Sequence, residues 1–317
     1  MLDAQKKPFD FMGFRKIASI LSITLLVLAI GLLAVRGLNF GMDFTGGTSV
    51  EFEYEQAPAL AEIRTALSDA GYDQFVVQNF GSDTTVLVRL SESGNDMLAQ
   101  EITSTLTAGG AGLKLISSEF IGSQVGEELK EDSGLGMLNA LLVVLIYVGM
   151  RFQFKFGIAA VLPLAHDVII VLGIFSLFQW TFDLTVLAAL LAIIGYSLND
   201  TIVVADRIRE NFRTMRVGDS WEVINTSIHQ TISRTINTSG TTLVVLIALY
   251  VFGGEAINGF ALALIIGVVV GTYSSIYVSA NLLIALGVSR EDLILPVKEG
   301  VVGQDEDEQP PEWLNRM

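Results

Sequence analysis

The chain has no cysteine, only two histidines and six prolines among 317 residues. Without cysteine there can be no disulfide, no thiolate metal site and no thiol nucleophile. His166 and His229 are too few for a histidine-rich metal centre. Charge is scarce as well: 17% of residues are Asp, Glu, Lys or Arg, less than the surface of a soluble domain of this length requires. The charge that is present sums to -15, which excludes nucleic acid as a partner because phosphate binding needs a basic face. What the chain has instead is hydrophobicity, 51% of its residues, gathered into long runs. That distribution marks an integral membrane protein, in contact with lipid, and predicts no metal site and no catalytic residue set.

The first run, Ile17 to Val35, follows Lys6, Lys7, Arg15 and Lys16. Its length is close to the roughly 20 residues that cross a bilayer. Its exit, Val35-Arg36-Gly37, lacks the small-x-small pattern of signal-peptide cleavage, so it reads as a retained helix. Five further runs lie near 135–150, 157–178, 184–205, 236–252 and 260–286. The first basic cluster, Arg151 with Lys155, the group Arg207, Arg209, Arg213 and Arg216, and Arg290 with Lys298 all fall on one side. The positive-inside rule makes that side the cytoplasm. The expected organisation is a cytoplasmic N-terminus with helix 1 (1–36), a periplasmic domain (37–133), a five-helix membrane region (134–289) and a cytoplasmic acidic tail (290–317). This is the layout of a multi-pass membrane protein with both termini inside.

Within the polar stretch, Thr48 to Tyr54 alternates as a strand, and Ala59 to Ala70 repeats apolar residues at helical spacing until Gly71. Phe75 to Phe80 and Thr84 to Leu90 read as strands around Gly81-Ser82-Asp83. Asp96 to Leu106 is helical, Gly109-Gly110 breaks it, and Leu113 to Ile121 returns to strand. The order β-α-β-β-α-β predicts a small α+β ferredoxin-like domain, a fold that assigns no function by itself. In the segment 207–235, Asp219 with Glu222 is a capping pair ahead of Trp221, Ile224, Ile228 and Ile232 at helical spacing. That pattern predicts a helix lying in the membrane interface. The tail, with Asp305 to Glu308 before Pro310-Pro311, has the composition of a disordered segment.

Asn199-Asp200 in the fourth run is the most informative feature. A charged carboxylate at the centre of a spanning helix costs about 2.5–3.5 kcal/mol on insertion scales. Asp200 shares a helical face with Tyr196 and Ser197, and that face points into protein or a wet cavity. It is either an ion or proton site or a hydrogen bond that holds helices together. Arg234 opens the fifth run, ahead of Thr235, Thr238, Ser239, Thr241 and Thr242. It either snorkels to the headgroups or partners Asp200 across a hydroxyl-lined path. His166-Asp167 in the third run, just past Pro163, is either a relay that changes protonation near neutral pH or a helix contact. Gly267, Gly271, Ser275 and Ser279 form a small-residue ridge suited to helix packing. Gly41 to Thr48 is glycine-rich but lacks the lysine and context of a phosphate loop, and Gly46-Gly47 reads as a hinge between membrane and domain.

These residues carry a resemblance. Asn39-Phe40-Gly41-Met42-Asp43-Phe44-Thr45-Gly46-Gly47-Thr48, Gly195-Tyr196-Ser197-Leu198-Asn199-Asp200-Thr201 with Asp206 to Asn211, Ser233-Arg234-Thr235-Ile236, and Gly271-Thr272-Tyr273-Ser274-Ser275 resemble the motifs of the SecF family. The likeness runs in the right order over nearly the whole chain. It implies membership of the resistance-nodulation-division superfamily, half of whose helix bundle this chain would supply. It implies SecD as partner beside the SecYEG translocon, with YajC a further candidate, and translocating preproteins as substrate. It places the family's proton-path acid on Asp200 and its fifth-helix arginine on Arg234, with Asn199 beside them and Ser197, Thr238, His166 and Asp167 as lining or relay. No cofactor is implied; the coupling ion is a proton, with sodium as the alternative. Three other readings stand beside it: a component of a proton-driven small-molecule exporter, an intramembrane aspartyl protease using Asp167 and Asp200, and a purely structural scaffold.

Overall fold

The computed structural model describes residues 9–293, apart from 73–74, 91–95, 109–111, 152–153 and 216–218. The Gly109-Gly110 break, Lys6, Lys7, Arg216, Lys298 and the acidic tail beyond 293 therefore lie outside the described residues. Helix α1 (Arg15–Arg36) follows a single 3-10 turn, and its apolar sequence carries no acid or base between Lys16 and Arg36. A short strand β1 (Asn39–Phe40) and the one-turn helix α2 (Met42–Thr45) lead into the α/β domain.

The domain comprises β2 (Gly47–Tyr54), α3 (Leu60–Asp69), β3 (Phe75–Phe80), β4 (Ser82–Leu90), α4 (Asp96–Ala108) and β5 (Leu113–Ile121). Its antiparallel sheet has the order β3-β4-β2-β5. Alternation along the strands turns Val50, Phe52, Val86, Val88 and Leu90 to one face, where Ile63 and Leu67 of α3 and Ile102 and Leu106 of α4 close the core. Among the described residues six helices are long and apolar enough to cross a membrane, α1 being the first. The other five are α5 (Ser123–Arg151), α6 (Phe154–Phe178), α7 (Leu184–Thr214), α8 (Ser220–Phe252) and a last span in which α9 (Asn258–Tyr273) passes through a π-helical turn, Ser274–Val278, into α10 (Ser279–Ala285). Between α6 and α7, β6 (Thr181–Phe182) pairs in parallel with β1 and ties the start of the domain to the bundle.

The expected domain edge at 133 moves. α5 begins at Ser123, about three turns ahead of the apolar run, because its polar first turns dock on α2. There a side chain at Gly126 would collide with the backbone of Phe44 and Gly46. Gly46 and Gly47 stand at this crossing with φ of +75° and +146°. A Cβ on Gly47 would overlap the Leu90 carbonyl oxygen, and one on Gly46 would lie 2.7 Å from Ser123 Cα. What demands glycine here is the approach of backbone to backbone among α2, β2, β4 and α5.

The interfacial helix expected over 207–235 is replaced by two spanning helices that run on past their apolar segments. Asp219 caps α8 by accepting from the Glu222 amide at 2.9 Å. Ile224 and Ile228 turn to α7, burying themselves with Val204, Ile208 and Phe212. Asn211 Nδ2 donates to Ser227 Oγ at 2.8 Å and Gln230 Oε1 at 2.9 Å. The apolar stripe is thus satisfied by helix pairing and has no need of lipid. Met12, fully buried in this cluster, donates its amide to Asn225 Oδ1.

At the same end of the bundle, Lys155 Nζ lies 2.8 Å from Asp292 Oδ2. The hydrogen bond from Lys155, and then that from the Ser289 amide, hold the Asp292 carboxyl below its ordinary range. A carboxyl whose folded-state pKa is depressed stabilises above its unfolded pKa and loses that contribution as the pH falls through the folded one. Hydrogen exchange at 288–293, corrected for its intrinsic pH dependence, is therefore expected to accelerate below the usual carboxylate range. In Lys155→Met it is expected to be fast already at neutral pH.

Candidate functional site

The membrane interior of the bundle holds two buried carboxylates, each supplied with hydroxyl donors by neighbouring helices. Asp200, on α7, is 7% exposed. Its Oδ1 accepts from Thr235 Oγ1 of α8 at 2.8 Å, and its Oδ2 from Ser275 Oγ at 2.7 Å. Asp167, on α6, is 0% exposed. Its Oδ2 accepts from Ser197 Oγ of α7 at 2.6 Å and from Ser274 Oγ at 2.7 Å, while its Oδ1 faces His166 Nδ1 at 2.9 Å.

Both acids are thus served from one place in the last span, the π-helical turn. Successive residues of an α-helix point about 100° apart, and at this turn the neighbours Ser274 and Ser275 serve acids on two different helices. π-Turns arise as local insertions in α-helices and recur at functional sites. The turn ahead of them is stripped of bulk: a Cβ on Gly271 would sit 3.2 Å from Ser197 Oγ and 3.5 Å from Asp167 Oδ2. Around this centre Ser239 Oγ lies 2.7 Å from Thr272 Oγ1 and accepts from Tyr196 Oη at 3.3 Å. Tyr273 Oη donates to the Ala18 carbonyl at 2.7 Å and lies 2.9 Å from Ser22 Oγ.

Residues 101–289 match the family model described as protein export membrane protein SecD/SecF, C-terminal, and residues 31–58 match the SecD/SecF GG motif, which spans Gly46-Gly47. The chain is 50% identical over 295 residues to the protein translocase subunit SecF of Pseudomonas aeruginosa, covering 92% of this chain and 96% of that protein. The chain belongs to the SecF family. Other family members include the SecF subunits of Vibrio alginolyticus, 47% identical over 96% of this chain and 98% of that protein, and of Escherichia coli O157:H7, 45% identical over 92% of each. A crystal structure of SecDF, a translocon-associated membrane protein from Thermus thermophilus, superposes with a TM-score of 0.77 at 37% identity. The match covers 90% of this chain and 40% of that one.

Set against the SecF motifs, the geometry redistributes several expected roles. Arg234 makes no contact with Asp200. It is exposed, because the turn of α8 that brings Thr235 to the carboxylate carries its neighbour away. Arg234 lines a cleft of about 410 Å³ with Tyr147, Arg151, Asp206, Arg207 and Glu210. Asn199 is exposed on α7, and Thr238, also exposed, donates to the backbone carbonyls of Arg234 and Thr235. Ser197, expected beside Asp200, serves Asp167 instead, and Ser275, expected only in packing, is a donor to Asp200. Gly267 does pack, leaving its would-be Cβ position to the side chain of Ile193. Sequence reasoning missed Ser274 and the direct bond from Thr235. The doubled serine after Gly271-Thr272-Tyr273 was the available signal.

Proposed function

We propose that this SecF-family chain works with a SecD-type partner beside the Sec translocon, where inward proton flow through Asp200 drives preproteins outward. The observation that carries the reading is the Asp200 site itself. It is an acid buried in mid-span whose only bonded donors among the described residues are two neutral hydroxyls from two other helices. When ionised, the carboxylate accepts from both. When protonated, one oxygen becomes a donor, and Ser275 can give its hydrogen to the Thr272 carbonyl, already 3.0 Å away. A single proton thus switches a bond between α7 and the last span. Each proton moved inward gains about 2.3 kcal/mol per 100 mV of membrane potential, which is the energy available to bias such a switch.

The orientation that fits puts the basic helix ends and both termini in the cytoplasm and the α/β domain in the periplasm. Support for a membrane partner comes from exposed Arg234, Asn237, Thr238 and Thr241 on α8, together with exposed Asn199 on α7. Polar side chains at this depth belong against protein, and the portion of the solved SecDF chain not covered by this one is a natural counterpart. Carboxylate and hydroxyl oxygens also ligate sodium, so a sodium gradient is a separate arm of the test. In inverted membrane vesicles depleted of this chain and resupplied with it, preprotein release is expected to rise with an imposed proton gradient only when the chain is present. Equal release after the gradient is collapsed by an ionophore overturns the reading.

A further inference from the structure

Three ionisable side chains lie inside the spans. Between Ile17 and Val35, Ser133 and Met150, Phe156 and Phe178, Leu184 and Ala205, Thr235 and Phe252, and along α9 to α10, the only acids, bases or histidines are His166, Asp167 and Asp200. The one group among them able to carry positive charge is His166, which is 4% exposed.

Its two ring nitrogens have different surroundings. Nδ1 faces Asp167 Oδ1, whose carboxylate is otherwise fully engaged by Ser197 and Ser274. An anion served by three donors fits a hydrogen on Nδ1. Nε2 is buried and has no partner among the described residues, and a buried polar atom without one normally signals a function or a ligand. The groups that face the ring are Asp167 on its own helix and Tyr273 from α9, centroid to centroid 6.5 Å, with Tyr277 a further 5.6 Å beyond Tyr273. The Tyr273 hydroxyl is taken up by Ala18 and Ser22 of α1, two uncharged residues. From α7 the titratable group is Asp200, reached through the adjacent serines of the π-turn.

Building on the proton-coupling reading of Asp200, we infer that His166 and Asp167 form a second protonation centre in this chain. Nε2 takes up one proton, no other bond is broken, and the dyad passes from a net charge of -1 to zero as the imidazolium is neutralised by the Asp167 carboxylate. Two negative charges served by one π-turn oppose each other. A proton gained at the dyad therefore offsets the negative charge that an ionised Asp200 places at the same turn. The consequence is that this chain can hold a proton of its own while Asp200 is empty.

The scarcity of histidine makes the test direct. Ring-15N histidine is incorporated into the full chain together with its copurifying partner in lipid bilayers, and His229→Gln removes the exposed second signal. The His166 Nε2 resonance is expected to pass reversibly from the bare to the protonated position as the sample is acidified, with Nδ1 protonated throughout. Asp167→Asn is expected to lose that transition. An Nε2 that holds one state across the whole titration, with no core substitution made, overturns the inference. If that happens while gradient-driven release still requires Asp200, only the dyad falls. A titrating His166 beside release indifferent to Asp200 keeps the dyad as a protonation centre and removes the coupling reading.

Discussion

Asp200→Asn is expected to abolish the gradient-stimulated part of preprotein release and to leave the gradient-independent part unchanged. The substitution preserves size and keeps an acceptor for Thr235 Oγ1. Its amide group now faces Ser275, which can accept from it while donating to the Thr272 carbonyl. The helices stay joined, and only the capacity to gain and lose a proton is gone. One proton crossing 100 mV supplies about 2.3 kcal/mol, roughly a 50-fold bias at room temperature. The ratio of release with and without the gradient is expected to fall from a value up to about that bias, in the wild type, to unity in the variant. Asp200→Glu, which titrates but displaces the carboxyl by a methylene, is expected to retain a reduced ratio. The measurement compares variants at equal membrane abundance and equal recovery of the copurifying partner. A wild-type ratio in Asp200→Asn assigns Asp200 to holding α7, α8 and the π-turn of the last span together and moves the proton path elsewhere.

Asp167→Ala is expected to destabilise the bundle more than any of the substitutions at Asp200. The aspartate closes three hydrogen bonds from three donors, on α6 itself, α7 and the π-turn. Removing it strands His166 Nδ1, Ser197 and Ser274 in a site that is fully buried. Ser274 retains the Gly271 carbonyl at 3.1 Å as an alternative, so the cost falls mainly on the other two. Each buried donor left unmatched costs about 1–3 kcal/mol, so the sum is several kcal/mol. Ser274→Ala, which removes one donor and leaves the acid two others, is expected to cost about 1 kcal/mol. Thermal unfolding of the full chain in lipid nanodiscs, followed by tryptophan fluorescence, reports both. Trp180 is a useful probe because it packs on Phe175 and Phe178 near the junction of bundle and domain. A midpoint for Asp167→Ala equal to that of the wild type means that water occupies the vacated space and satisfies the donors.

Each of these predictions turns on which helix face a residue occupies, and sequence and structure contribute unequally there. Asp200 stands out in the chain because a carboxylate in an apolar run is conspicuous wherever the run folds. Its partners do not stand out. Arg234 and Thr235 are neighbours, and one shift of about 100° around α8 decides which of them meets the acid. The charge of Arg234 argues for it in the sequence, whereas packing against α7 selects the hydroxyl. Ser197, three residues before Asp200, lies on a compatible face yet reaches Asp167, because α6 also packs against α7 and brings its own acid to that side. Ser275 reads as one step of a small-residue ridge until the π-turn rotates it onto Asp200.

The sequence by itself determined six spans, the side on which the basic clusters gather, and the strand-helix order of the α/β domain. These rest on local quantities: mean hydropathy over about 20 residues, and periods of 2 or 3.6 along a segment. Two strands, Phe75–Phe80 and Leu113–Ile121, have the bounds their alternation predicts. Only the tertiary structure decided where α5 begins, that the 207–235 segment is the paired ends of α7 and α8, and that Asp167 and Asp200 draw on adjacent serines of one turn. Those outcomes depend on rotations and crossings of whole helices, fixed by contacts such as Gly173 on Ala29 and Gly267 on Ile193, which lie far apart in the chain and leave no periodic trace within it.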